Sequence, residues 1–103
     1  MAMAIPALPR DAEAYRRTEV FTEKTIPAQL RNQHRTKDGA WAMIHVLEGK
    51  LAYRVIDPRR PRLDYLLTPK TLPAVIEPTV LHEVQPFGTV RFFIEFYRVR
   101  QVS

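Results

Sequence analysis

The sequence predicts an all-β domain, a small sandwich or barrel, and three observations predict it. Short runs that alternate apolar and polar side chains follow one another at the spacing of strands in such folds. Nine prolines stand almost entirely between those runs and leave little room for a long helix. The glycines, Gly39, Gly49 and Gly88, all fall where the chain is expected to turn. A length of 103 residues fits one domain, and 46% hydrophobic content is enough for a core.

Taken in order, residues 1–17 read as an irregular lead-in with one helical turn near Asp11 to Arg17, and the domain proper as residues 18–103. Thr18 to Thr22 is β-prone, Ile26 to Leu30 continues it as an extended segment, and Arg31 to Gly39 is a polar connector holding His34. From Trp41 to Leu47 the side chains alternate, with Ala42, Ile44 and Val46 on one face and Trp41, Met43, His45 and Leu47 on the other. Glu48-Gly49-Lys50 then reads as a tight turn and Leu51, Tyr53 and Val55 as the return, so residues 41–57 are expected to form a hairpin. After the Pro-rich turn from Asp57 to Arg62, further strands are expected at Leu63 to Thr68, Leu72 to Glu77, Leu81 to Gln85 and Val90 to Val99, the last two separated by a turn at Pro86-Phe87-Gly88-Thr89.

Composition narrows the function classes. There is no cysteine, so disulfides and thiolate metal sites are excluded. The only serine is Ser103, and no Ser-His-Asp arrangement can be assembled. None of the glycines builds a phosphate-cradling loop. A net charge of +5 comes from scattered arginines rather than a block, which points to a solvated surface and makes nucleic acid an unlikely partner. Met1 to Arg10 lacks the features of a secretory leader and no run is long enough to span a bilayer, so a cytoplasmic location with no membrane partner is the expectation.

The residues that invite chemistry are His34, His82 and Glu95, each at or near an expected strand. Two imidazoles and one carboxylate that converged would hold a divalent ion, Zn, Fe, Mn or Ni, and leave positions open for water or a small substrate. Glu95 alternates with Arg91, Phe93 and Tyr97, and a carboxylate among such rings needs a partner: a metal, a ligand, or an arginine such as Arg91 or Arg54. A second reading makes the interior a non-enzymatic binding chamber for a small molecule or oxyanion, lined by Tyr53, Phe93 and Tyr97 with Lys37, Arg54 or Arg91 facing the anion. A third leaves a structural or interaction domain with an ion-paired interior. No catalytic residue is assigned.

Five segments in order, His34-Arg35-Thr36-Lys37, Gly39-Ala40-Trp41, Val46-Leu47-Glu48-Gly49-Lys50-Leu51, Glu77-Pro78 leading to His82, and Val90 to Tyr97, resemble the TehB/YeaR-like domain. The resemblance spans about residues 18–98. It implies a cupin-like β-barrel of jelly-roll type, connected by name with tellurite resistance and stress response. Cupins pair a His-X-His and Glu motif with a later His; here Thr36 stands where the second His would, so the ordinary four-ligand set is incomplete and the resemblance leaves room only for a reduced or rearranged site. Some relatives carry the domain ahead of a methyltransferase, but a chain that ends at Ser103 is not expected to transfer methyl groups. Cupin-like relatives commonly pair, and a homodimer is expected.

Overall fold

Two long strands organise the protein. A computed structural model describes residues 7–31 and 35–99. In chain order it contains β1 (Ala12–Arg17), β2 (Phe21–Thr22), a one-turn helix α1 (Ala28–Arg31), β3 (Trp41–Val55), β4 (Leu63–Leu67), β5 (Ala74–Ile76) and β6 (His82–Val99). The expected lead-in therefore contains a strand rather than a helical turn, and β1 lies antiparallel along the end of β6. The segment after Ile26 is helical rather than extended, because Pro27 opens a turn whose carbonyl accepts from the Leu30 amide and so buries the Leu30 side chain.

β3 and β6 run antiparallel over almost their whole lengths, from Trp41 opposite Tyr97 to Val55 opposite His82. Neither expected turn exists. Residues 41–55 are one strand and residues 82–99 another, and the turn signals at Gly49 and Gly88 mark irregularities in the ladder between them. Val46 faces Phe92 and Glu48 faces Arg91, which leaves Leu47 as an extra residue on β3. Gly49 faces Val90 and Lys50 faces Phe87, which leaves Gly88 and Thr89 as two extra residues on β6. One extra residue changes which parity points inward and two restore it. Ala42 and Ile44 are buried before the bulge and Leu51, Tyr53 and Val55 after it, whereas β6 buries even positions throughout: His82, Val84, Val90, Phe92 and Ile94.

The six strands form a single sheet in the order β1-β6-β3-β4, with β2 on β6 and β5 on β3. The sheet is not a closed barrel, so the expected jelly-roll closure is corrected. β4 pairs only with the far half of β3, at Leu51 to Val55, and β5 only with the near half, at Ala42 to Ile44. Pro69 and Pro73 lie between them, and with no amide proton neither can extend a ladder across the gap. The core gathers on the inner side: Phe92 is fully buried against Phe21, with ring centroids 5.6 Å apart, and Ile44, Leu51, Ile76 and Val90 are buried with it. Among the described residues no helix is long and apolar enough to cross a membrane.

Candidate functional site

Strand parity decides where the sequence-derived site residues go. His82 opens β6 on the inner side and is 1% exposed; its Nδ1 lies 3.0 Å from the Val80 carbonyl oxygen, and its ring 5.8 Å from that of Tyr53. Glu95 occupies an odd position near the other end of the same strand and faces outward. These two expected metal ligands therefore sit on opposite sides of the sheet. His34 lies outside the described residues. Among the described residues no three His, Asp or Glu side chains come together in a way that could hold a metal ion. The proposed divalent centre is corrected accordingly.

Glu95 has found other partners. The Tyr97 hydroxyl donates to its Oε1 at 2.5 Å, and Arg17 of β1, rather than Arg91 or Arg54, donates to its Oε2 at 3.2 Å. The hydrogen bond from Tyr97 leads in holding the carboxyl below its usual range, with Arg17 adding to it against the cost of burial. Burial and Glu95 together push the Tyr97 phenol up to about 12. Phe93 is flanked from β1 by the Arg17 guanidinium, 4.4 Å from its ring centre, and from β3 by His45, stacked at 4.8 Å. Burial lowers the His45 pKa, and its Nε2 is sealed from solvent and, among the described residues, has no hydrogen-bond partner. Phe93 and Tyr97 thus belong to an outer aromatic face, not to the chamber expected to include Tyr53.

The expected anion-facing side chains are dispersed. Arg54 points outward from β3 to Asp64, Glu83 and Gln85. Arg91 pairs with Glu48 at 3.2 Å. Lys37 is exposed on the rim of a cleft of about 530 Å³ that also includes Arg16, Arg35, Phe21 and Phe96.

A buried carboxylate passed unnoticed in the sequence. Asp57 follows β3, and its side chain is fully buried. It accepts from the Arg59 guanidinium at 2.7 and 2.9 Å, from the Arg59 and Leu81 amides at 2.9 Å each, and from Arg35 at 3.4 Å. These bonds, led by the Arg59 side chain, hold it far below the usual carboxylate range. Arg59 and Arg35 also donate to the carbonyl of Thr79, a residue held at φ 63°. Thr36 closes the clasp: its Oγ1 accepts from the Thr79 amide at 3.1 Å and donates to the Glu77 carbonyl. Three loops are thereby locked beside His82. The signal was the Asp-Pro-Arg turn, in which Asp57 is placed to accept from the amide two residues on.

Among the described residues, two further openings are apolar. The gap between β4 and β5 leads into an apolar pocket of about 250 Å³ with Tyr53, Tyr65 and Leu67 among its walls. At the bend of the sheet, Leu66 and Phe87, 48% and 52% exposed, line a groove with Lys50 and Gly49.

Comparison with known proteins adds a relationship. The family model described as the TehB-like domain matches residues 16–94. Two curated proteins of Haemophilus influenzae, each named a probable S-adenosyl-L-methionine-dependent methyltransferase TehB, are 29% and 28% identical over 72 residues, which is 69% of this chain and 25% of each relative. The chain thus spans about a quarter of the length of the curated relatives it matches. The crystal structure of TehB from Haemophilus influenzae superposes with a TM-score of 0.79 at 24% identity, covering 87% of this chain and 32% of that one. A protein from Escherichia coli strain K12 superposes with a TM-score of 0.80 at 21% identity, covering 94% and 100%. Both likenesses bear on the fold. The relatives are named for S-adenosylmethionine rather than for a divalent metal, and the expectation of a metal-binding cupin is corrected. Tellurite resistance and stress response have no support here beyond the family's name.

Proposed function

The chain belongs to the TehB-like domain family, and from that premise we propose that it serves S-adenosylmethionine-dependent methyl transfer as a module docked on the part of the enzyme that holds the methyl donor. The observation that carries this reading is one of proportion: the matched segment is 69% of this chain but only 25% of the methyltransferases it matches. In those relatives a similar unit accompanies a much longer stretch of other sequence.

S-adenosylmethionine presents a sulfonium cation, an ammonium group and a ribose diol, and a site for it needs acceptors, usually a carboxylate. The pocket between β4 and β5 is lined by apolar side chains, two tyrosines and a threonine, with no carboxylate. The wider cleft carries Arg16, Arg35 and Lys37, which repel a sulfonium. These linings do not fit the donor, and no step of methyl transfer is assigned to them. What this chain offers instead is a docking surface. Leu66 and Phe87 expose apolar area across one groove, the kind of paired anchor that a partner buries, and the sheet bend at Gly49 holds them in place.

Sedimentation of this chain with the methyltransferase portion of the Haemophilus influenzae relative tests the reading. A complex is expected, weakened at least tenfold by Leu66→Glu or Phe87→Glu, together with altered turnover of S-adenosylmethionine. The absence of both a complex and any change in turnover would refute it. The homodimer expected from the sequence is read in the same run, and a dimer broken by the same substitutions would assign the groove to a second copy instead.

A further inference from the structure

The gap between β4 and β5 has the properties of a ligand site, independently of the docking reading. β4 ends at Leu67, β5 begins at Ala74, and each pairs with a different half of β3, so their inner side chains face a space that no strand covers. The connection across the mouth is a self-bonded turn: the Thr68 amide donates to Thr71 Oγ1 at 3.0 Å, and the Lys70 amide to Thr68 Oγ1 at 3.2 Å. That turn carries Leu72, 80% exposed, onto the rim. The pocket behind it measures about 250 Å³, and among the described residues no charged side chain lines it. An apolar cavity of roughly 150 Å³ is enough to take benzene.

Tyr53 turns this space from a void into a site. It lies directly opposite Tyr65, with nearly parallel rings whose centres are 6.3 Å apart. Only 2% of Tyr53 is exposed, yet among the described residues its hydroxyl makes no hydrogen bond. Its hydroxyl oxygen is not among the sealed, unpartnered polar atoms of the described residues, so a ligand entering the pocket that Tyr53 lines can reach it. Burial raises its pKa, so it is present as the neutral phenol and can donate.

We propose that the pocket between β4 and β5 binds a neutral molecule of one or two aromatic rings bearing a hydrogen-bond acceptor, which receives the Tyr53 hydroxyl proton. The volume sets the ring count, the uncharged walls exclude ions, and a phenol that the described residues leave free to donate selects an acceptor.

Acetophenone, ethylbenzene and benzoate separate these requirements. Amide chemical shifts of the full chain, followed by NMR during titration, should move at Leu63, Tyr65 and Val75 with acetophenone, and about fivefold less ethylbenzene should be bound at equal concentration. Benzoate should leave those amides unmoved. Tyr53→Phe should bring acetophenone down to the level of ethylbenzene without weakening ethylbenzene itself. Amides around the pocket that ignore acetophenone would overturn the proposal. So would equal binding of acetophenone and ethylbenzene by the unmodified chain, which needs no variant to be read.

Discussion

Gly49 approaches Thr89 so closely that a β-carbon at position 49 would overlap the Thr89 carbonyl oxygen and come within 3.0 Å of the Val90 α-carbon. The two residues belong to the facing irregularities of β3 and β6, and their contact fixes the bend. Gly49 also has φ +81°, where an L side chain is strained. Gly49→Ala should therefore cost about 2–4 kcal/mol, from backbone strain and a clash with main chain that cannot move aside. Gly88 shares the positive φ but has open space around it, so Gly88→Ala should cost only about 1–2 kcal/mol. Urea denaturation of both variants checks the contrast; equal losses would mean that the close approach does not constrain the bend.

Asp57 should govern the acid limb of stability. Its carboxyl is held down in the folded protein by Arg59 and by the Arg59 and Leu81 amides, so the unfolded chain takes up its proton first as pH falls. The stabilisation is complete above the unfolded carboxylate range, near pH 4, and drains away as pH drops below it. Asp57→Asn should lower the melting temperature at pH 7 by roughly 10 °C, in keeping with a domain of this size losing a buried network. The same variant should show a flatter decline between about pH 4 and pH 2. Melting curves across that range decide it, and an unchanged acid slope would remove Asp57 from this role.

The alternating apolar runs were legible because each strand has one face in the core: Ala42 and Ile44, Leu51 and Tyr53, Phe92 and Ile94 were all identified by period alone. The connectivity was not. Glu48-Gly49-Lys50 and Phe87-Gly88-Thr89 carry the chemistry of tight turns, and a glycine at positive φ looks the same in sequence whether the chain reverses or only bulges. That one ambiguity also misplaced the site. With a turn between them, the parities of His82 and Glu95 say nothing about each other. With one continuous strand and two extra residues, an even and an odd position must face opposite ways. Asp57 escaped notice because, although Arg59 lies only two residues on, its other partners Arg35 and Leu81 are distant in sequence and reach it only once the loops have folded together.

Tyr97 should be the main support of the Glu95 charge. Its hydroxyl donates at 2.5 Å to a carboxylate only 18% exposed, while the Arg17 guanidinium is largely in solvent. Tyr97→Phe should raise the Glu95 pKa and cost about 1–2 kcal/mol, as for a hydrogen bond to a charged group near the surface. Arg17→Ala should raise the same pKa with a smaller loss of stability, since exposed pairs contribute little. Carbon-detected NMR titration of the Glu95 carboxyl measures both, and a Glu95 that titrates unchanged in Tyr97→Phe would contradict the geometry.

His45 carries a cost that a simple substitution should relieve. Among the described residues its Nε2 is buried without a partner while its ring stacks on Phe93, so the site uses the ring and has no use for the nitrogen. Burial leads in depressing its pKa, which Arg17 reinforces and Glu95 opposes. The unfolded chain therefore binds the proton more readily, and stability contributed by the neutral ring falls as pH drops below about 6.5. His45→Phe keeps the stack and removes both the orphan nitrogen and its titration. The variant should be as stable as the parent or up to about 1 kcal/mol more stable at pH 7. Its advantage should grow between about pH 6.5 and pH 5, where the parent loses ground and the variant has no imidazole to titrate. Denaturation at those three pH values tests this, and a variant destabilised by more than about 1 kcal/mol at pH 7 would mean that Nε2 has a partner in solution.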